Sequence, residues 1–182
     1  VLAGNLALAD VRYAALTDHN TLEGLPRFEQ ALKKRGMAFL TGVELTTQFN
    51  GREAHLLGYG FDPQHTGLAA TLQSIRQAHL NGPSESHSIA GSLRKAGSGL
   101  NQPAPPSAAP DGRLETGAAI ALIHSAGGRA FWAHPLVFEP DLEKLDGLVG
   151  QLKALGLDGL EAIYAPFSPA QQEGLRQLAA KH

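Results

Sequence analysis

The sequence predicts an α/β fold, because short apolar runs alternate with segments of helical periodicity along its 182 residues. Strand followed by helix is the pattern of α/β proteins with a mainly parallel sheet, either open or closed into a barrel. The length suits one domain with a sizeable core, so residues 1–182 are expected to form a single domain. In both forms of the sheet, ligands bind beyond the carboxyl ends of the strands.

The first half of the chain contains three apolar runs that predict strands, Val11–Leu16, Met37–Leu40 and Ala54–Tyr59. Between the first two, apolar residues from Leu22 to Leu32 recur at spacings of 3, 3 and 4, which is one face of a helix. A second helix is indicated by Leu68, Leu72 and Ile75, and a third by Ile89 and Leu93.

Residues 97–113, GSGLNQPAPPSAAPDGR, interrupt this alternation with four prolines. Proline excludes a regular helix or a central strand, so the segment is interpreted as a linker or the remnant of an insertion. Beyond it, the pattern predicts the helix Leu114–Ala126, the strand Arg129–Ala133, the helix Leu142–Leu155, the strand Gly159–Tyr164 and a last helix that Ser168 caps.

The composition excludes several kinds of site. Lys and Arg number 15 against 17 Asp and Glu, so the net charge of -2 gives no strongly basic surface for nucleic acid. Cysteine is absent, which excludes disulfides, thiolate zinc sites and cysteine nucleophiles, and leaves His, Asp and Glu as metal ligands. No apolar run approaches the roughly 18 residues of a membrane span, so we expect a cytoplasmic protein without a membrane partner.

Residues able to bind a metal stand where the predicted strands end. In chain order they are Asp18, His19, Glu44, His55, His134 and Glu161, of which Glu44 directly follows the run Met37–Val43. Imidazole and carboxylate ligands suit zinc, manganese or iron, and the long spacings are expected when each ligand comes from a different strand. Each residue also has a structural alternative, such as a helix cap for Asp18, an exposed edge for Glu44 or a packed core position for His134.

Four segments, in the order "YAALTDHNTLEG", "LTGVELTT", "HLLGYGFD" and "ALIHSAGGRAFWAHP", resemble the PHP family, the polymerase and histidinol phosphatase domain. The final stretch "LGLDGLEAIYAPFSPAQQEGLRQLAAKH" resembles the αβα unit that closes that domain. The resemblance covers almost the whole chain apart from residues 81–113. The four motifs together are specific, although each alone would be weak.

This resemblance implies a distorted seven-stranded (β/α) barrel of PHP type, incomplete in this chain. It implies two or three divalent metal ions, Mn, Zn or Fe, that hydrolyse phosphoesters of a phosphorylated small molecule or short nucleic acid. Carried over by motif, His19, His55 and His134 are metal ligands, and Glu44 is the bridging carboxylate. Asp18 is expected to act in catalysis by orienting His19 or a neighbouring ligand.

The family also begins with a His-x-His strand and ends with a Ser-Asp-x-His-like pair, and this chain contains neither motif. The resemblance therefore implies truncation at both ends, so that the parent protein is a phosphoesterase while this piece binds metal incompletely and hydrolyses phosphoesters poorly. Two alternatives remain open. One is a catalytically inactive structural or binding module, and the other is an amidohydrolase-like enzyme that attacks carbon centres.

Overall fold

A computed structural model of the chain describes residues 2–81 and 114–182. The helix expected around Ile89 and the proline-rich segment 97–113 lie outside the described residues. The described elements, in chain order, are α1 (Leu2–Leu8), β1 (Tyr13–Ala15), α2 (Leu25–Lys33), β2 (Ala38–Leu40), β3 (Gly42–Phe49), β4 (Arg52–Tyr59), α3 (Thr66–Asn81), α4 (Thr116–Ser125), β5 (Arg129–Trp132), α5 (Pro135–Phe138), α6 (Leu142–Ala154), β6 (Gly159–Leu160) and α7 (Pro169–Lys181).

The larger sheet has four strands in the order β3-β4-β5-β6 and is mixed, so the prediction of a mainly parallel sheet is wrong. Strand β4 runs antiparallel to both β3 and β5, and only β5 and β6 are parallel within this sheet. The reason is the two-residue turn Asn50-Gly51, with φ of 50° and 73°, which joins β3 directly to β4. An Asn-Gly turn of this hand matches the twist of a hairpin and makes the two strands antiparallel.

A smaller sheet pairs β1 with β2 in parallel, and a short backbone bridge connects it to the larger sheet. Glu44 N donates to Asp18 O at 3.2 Å, and Asn20 N donates to Glu44 O at 2.8 Å. These two bonds place His19 opposite Glu44 in parallel register. The segment that follows β1 is thereby fixed beside β3.

Two predicted strand boundaries are wrong. Glu44 is the third residue of β3 rather than the residue after a strand from Met37 to Val43, because the chain breaks at Thr41, whose hydroxyl donates to Phe61 O at 2.8 Å. Strand β6 ends at Leu160 rather than Tyr164, because its partner β5 ends at Trp132 and offers no further residue to pair with.

Alternation along β3 and β4 gives the sheet two different faces. The apolar face carries Val43, Leu45, Leu56, Ala130 and Trp132, each at most 1% exposed. The opposite face carries Glu44, Thr46 and His55 on neighbouring strands. A strand of period 2 therefore supplies the hydrophobic core with one set of side chains and a polar site with the other.

Helices cover the apolar face. The helices predicted within the described residues are confirmed, whereas α1 and α5 were not predicted. Helix α4 packs against β3, β4 and β5, and its Ile120 and Ile123 belong to the main core cluster. Helix α7 begins with a capping box in which Ser168 accepts from Gln171 N and Gln171 accepts from Ser168 N. None of the described helices is long and apolar enough to cross a membrane.

Asp158 connects three elements just before β6. Its carboxylate accepts hydrogen bonds from Ala130 N (2.8 Å), the Arg129 guanidinium (2.8 Å) and His124 Nε2 (2.7 Å). Burial acts to raise the pKa of Asp158, but these three hydrogen bonds outweigh it and lower the pKa. The ionised carboxylate therefore stabilises the junction of α4, β5 and β6.

We expect Asp158→Ala to lower the free energy of unfolding by about 2 kcal/mol at pH 7, since hydrogen bonds to a charged group are lost. A lowered folded-state pKa stabilises the protein fully above the unfolded value of about 3.9 and less as the pH falls through the folded value. In urea denaturation, the difference in the free energy of unfolding between Asp158→Ala and wild type should therefore become smaller below about pH 4. A constant difference across this range would contradict the role of the charge, and Glu173→Ala, at an exposed carboxylate, serves as the control.

Gly42 permits the close approach of the segment after β1 to β3. A Cβ at this position would lie 2.6 Å from Leu16 O and 2.9 Å from Thr17 Cγ2. We expect Gly42→Ala to destabilise the protein by about 1–3 kcal/mol, as overpacking does, and to displace His19 from Glu44. Gly147→Ala is the matched control, because its Cβ would meet nothing within 4 Å on helix α6 and should be neutral or slightly stabilising. Thermal unfolding of both variants measures this, and equal stabilities would refute it.

Candidate metal centre

Three imidazoles converge on a single carboxylate oxygen. Glu44 Oε1 lies 2.9 Å from His55 Nδ1, 3.2 Å from His134 Nε2 and 3.3 Å from His19 Nε2. The proximity of Glu44 and His134, 90 residues apart in sequence, is therefore confirmed. The rings of His19 and His134 both lie edge-on to the ring of His55, with centroids 5.1 Å away in each case.

Each of these side chains reaches the cluster from a different element. Glu44 is on β3, and His55 is two residues along from Leu57, the partner of Glu44 on β4, so that the two side chains are diagonal neighbours on one face. His19 follows β1, and His134 follows β5. The expectation that all the site residues lie beyond strand ends holds for His19 and His134, whereas Glu44 and His55 lie within a hairpin.

His134 has an unusual backbone. Its φ of 31° and ψ of 56° are left-handed, although it precedes Pro135, which disfavours helical conformations for the preceding residue. Its N–H donates to Glu161 Oε2 at 2.8 Å, which holds the conformation in place. Such outliers concentrate at functional sites, where the surrounding structure maintains them.

Glu44 is a charged group in a nearly closed environment, with 9% of the residue exposed. Burial acts to raise its pKa, but hydrogen bonds with His55 and His134 and the charge of His19 together lower it. The hydrogen bond with Glu44 in turn raises the pKa of His55, although burial opposes this. The hydrogen bonds and charges around Glu44 therefore favour its ionised form despite the burial.

Asn20 fixes the segment that carries His19. Its side chain donates to Thr46 Oγ1 at 2.9 Å and accepts from Thr46 N at 2.9 Å. With φ of 54°, Asn20 is also left-handed, a conformation that Asn tolerates better than most residues. The sequence drew attention to Asn20 only as a polar neighbour of His19, and its role as a clamp became visible in the structure.

The Asp18 side chain makes no hydrogen bond to the imidazoles within the part of the chain that the structure describes. Its carboxylate stands beside Gly24 at the start of α2, where a Cβ on Gly24 would lie 2.7 Å from Asp18 Oδ2. Asp18 contributes its carbonyl to the bridge with Glu44, and its side chain is exposed. The catalytic role assigned to Asp18 stays a prediction. The helix-cap alternative gains no support either, because the N-cap residue of α2 is Gly24 and no side chain of the described residues makes a capping hydrogen bond there.

Three further residues contact the cluster: Glu53 and Tyr164, which the sequence analysis did not name, and Glu161, which it named as able to bind a metal but which the family motifs do not assign. Glu53 Oε1 lies 3.3 Å from His55 Nε2, the Tyr164 ring lies 5.3 Å from that of His134, and Glu161 holds the His134 backbone. Glu53 could have been found from its position two residues before His55. Tyr164 could not, because its contact depends on the loop that follows β6.

The donor set fits a divalent cation. Ligand atoms of His19, Glu44 and His55 all lie within 4.8 Å of one another, and His134 contacts Glu44 from outside this group of three. Imidazole nitrogen and carboxylate oxygen are ligands that zinc, manganese and iron accept. A cation would also neutralise a buried carboxylate that nitrogen atoms surround on three sides. The ligand roles of these four residues are a prediction that the geometry makes chemically reasonable.

Comparison with known proteins gives two informative relatives, although no protein-family model matches the chain. A 5'-3' exoribonuclease of Haemophilus influenzae is 30% identical over 190 aligned positions, which cover 83% of this chain and 68% of the relative. A 3',5'-nucleoside bisphosphate phosphatase of Chromobacterium violaceum is 39% identical over 83 positions, which cover 46% of this chain and 28% of the relative.

A solved structure supports the fold. An amidohydrolase from Chromobacterium violaceum, determined with bound sulfate and no metal, superposes with a TM-score of 0.78 over 99% of this chain and 76% of that protein. Their sequences are 24% identical, so this likeness concerns the mixed α/β architecture alone. The family is shown by the Haemophilus relative, through its sequence identity and the share of its length that aligns. The TDH, GVE, HLLGYG and AHP motifs indicate the same family, and we conclude that this chain belongs to the PHP family of phosphoesterases.

Proposed function

We propose that the protein hydrolyses phosphoesters of nucleotides or short oligonucleotides, with divalent metal ions held by His19, Glu44, His55 and His134. The observation that carries this proposal is the placement of three imidazole nitrogens within 3.3 Å of one buried carboxylate oxygen. The names of the two relatives, an exoribonuclease and a bisphosphate phosphatase, support the substrate class.

Divalent ions, if held by Glu44 and the three imidazoles, would supply activation of a water molecule and positive charge near the phosphoryl oxygens. Glu44 and the three imidazoles hold the positive charge at a fixed place. Asn20 and Glu161 keep the backbones of His19 and His134 in position, so that the ligands need not reorganise during the reaction. The half-buried setting of His55 and His134 limits the access of bulk water to the reacting phosphate.

We further propose that the described strands are part of a distorted seven-stranded barrel within a single domain. The bridge between His19 and Glu44 supports this, because it joins the two-stranded sheet to β3 and so extends the sheet to six adjacent strands in the described residues. Residues 97–113 lie outside the described residues, so their interpretation as a linker or insertion remnant stays a prediction.

The proposal is tested by the hydrolysis of adenosine 3',5'-bisphosphate and a short oligoribonucleotide by the full-length protein, with manganese or zinc added or removed by chelation. Metal-dependent release of phosphate or mononucleotide is the expected result. An amide substrate is tested in parallel, because the alternative is an amidohydrolase-like enzyme that uses a similar metal site to attack a carbon centre. Cleavage of the amide without cleavage of either phosphoester would refute the assignment.

Glu44→Gln should lower the hydrolysis rate by more than about a hundredfold, beyond the tenfold to hundredfold typical of groups behind the ligands. The substitution keeps the shape of the side chain and removes the charge that holds cations, so the fold should persist. Rate measurements with a thermal unfolding control test this, and Glu173→Gln at an exposed position is the matched variant. Near-normal turnover with normal metal content would rule out the assigned role of Glu44.

Asn20→Gly should weaken metal binding by about tenfold to a hundredfold while retaining every predicted ligand. Glycine accepts the positive φ of this position, so the variant removes the hydrogen bonds to Thr46 without adding backbone strain. Calorimetric titration with manganese measures the affinity. An unchanged affinity would mean that the backbone bridge alone fixes His19.

A further inference from the structure

The imidazole of His55 has a carboxylate at each of its two nitrogen atoms. Nδ1 lies 2.9 Å from Glu44 Oε1, and Nε2 lies 3.3 Å from Glu53 Oε1. The contact with Glu44 belongs to the candidate metal centre. The contact with Glu53 has no role in the sequence motifs or in the proposed reaction, although it is made to the same ring.

The strand pairing places Glu53 where it reaches His55. The two residues are two positions apart on β4, so their side chains project to the same face of the sheet. In the register of the hairpin, Glu53 lies opposite Gln48 and His55 lies opposite Thr46, on the face that also carries Glu44. The contact between Glu53 and His55 is therefore a product of the regular strand and does not depend on a loop.

The neighbouring rings restrict the orientation of the His55 imidazole. The rings of His19 and His134 both lie edge-on to it, with centroids 5.1 Å away. These contacts fix the plane of the ring, but they do not determine which of its nitrogen atoms carries the hydrogen. In a neutral imidazole one nitrogen is a donor and the other has a free lone pair, and a cation binds only the latter.

The two nitrogen atoms of His55 point toward different groups. Nδ1 lies beside Glu44 Oε1, the atom that His19 Nε2 also approaches, at 3.3 Å. Nε2 points to Glu53, and among the described residues His55 is the only ion-pair partner of that carboxylate. Histidines that bind a metal through one nitrogen almost always donate the other N–H to a carboxylate, a carbonyl or water, which fixes the tautomer.

We propose that Glu53 is a positioning residue, which accepts a hydrogen bond from His55 Nε2–H and so leaves the Nδ1 lone pair free for a cation shared with Glu44 and His19. The proposal rests on the proposed function in that it requires a cation at this cluster. It adds the nitrogen by which His55 binds and a residue that acts through His55. Glu53 is not itself a ligand in this arrangement, because it contacts the nitrogen that points away from Glu44.

Zinc affinity tests the role of Glu53 without reference to hydrolysis. The full chain and its variants are titrated calorimetrically with zinc, and circular dichroism verifies that each variant is folded. Glu53→Ala should weaken zinc binding by about tenfold, the lower end of the usual range for such groups because the Glu53 side chain is 62% exposed. Glu53→Gln keeps an oxygen acceptor and should restore part of the affinity. Glu173→Ala removes an exposed carboxylate elsewhere and should behave like wild type.

Nuclear magnetic resonance of the zinc-bound protein, with ¹⁵N-labelled histidine, identifies the nitrogen that binds. The signals of His55 are assigned by their absence from His55→Gln. In wild type we expect zinc at Nδ1 and the hydrogen at Nε2. In Glu53→Ala the Nε2–H proton should move upfield, because its hydrogen bond is lost. A general loss of stability would not produce this local change.

Three results would overturn the proposal: zinc bound through Nε2 of His55, a Glu53→Ala variant with wild-type affinity, or a Glu53→Gln variant as weak as Glu53→Ala, which would indicate an effect of charge alone. Each of them leaves the proposed function intact if metal-dependent hydrolysis persists. Conversely, if zinc binds through Nδ1 with the expected dependence on Glu53 and no phosphoester is hydrolysed, the proposed function fails and the role of Glu53 stands.

Discussion

The buried carboxylate of Glu44 is the constraint on which the arrangement of the candidate metal centre depends. An ionised carboxylate removed from water is costly unless positive or hydrogen-bonding groups surround it. Here those groups are three histidines from three other segments of the chain, and each must arrive within 3.3 Å of one oxygen. Three features of the fold bring these histidines to Glu44. They are the parallel bridge of residues 18–20 to β3, the hairpin of β3 and β4, and the turn after β5.

The same strands build the core and the site, and this couples stability to function. Leu45 and Leu56 are fully buried on one face, while Glu44 and His55 occupy the other face of the same two strands. A slip of one residue in their pairing would exchange the faces and would bury charge in the apolar core. The Asn50-Gly51 turn fixes this register, so a turn far from the chemistry determines whether the ligands meet.

The sequence predicted helices α2, α3, α4, α6 and α7, the mixture of strands and helices, and the residues that meet at the cluster, because these depend on local periodicity and on recognisable motifs. It did not predict the antiparallel order, although the signal was present in Asn50-Gly51. It placed Glu44 after a strand rather than inside one, because the apolar run from Met37 to Val43 hides the break at Thr41. The contacts of Tyr164 and the orientation of Asp18 depend on tertiary packing that no short window contains.

Asn20 and His134, at the cluster, have left-handed backbones that hydrogen bonds hold in place. The Asn20 side chain accepts from Thr46 N, and His134 N donates to the Glu161 carboxylate. Neither conformation is favourable for the isolated chain, least of all for a histidine before proline. In each case the strained residue is at or next to a predicted ligand, while the residue that restrains it is on or beside a strand of the larger sheet. The sheet therefore stabilises backbone conformations that the local sequence would not adopt by itself. Because the restraining residues are anchored to the folded sheet, the histidines can be held in place before any cation or substrate binds.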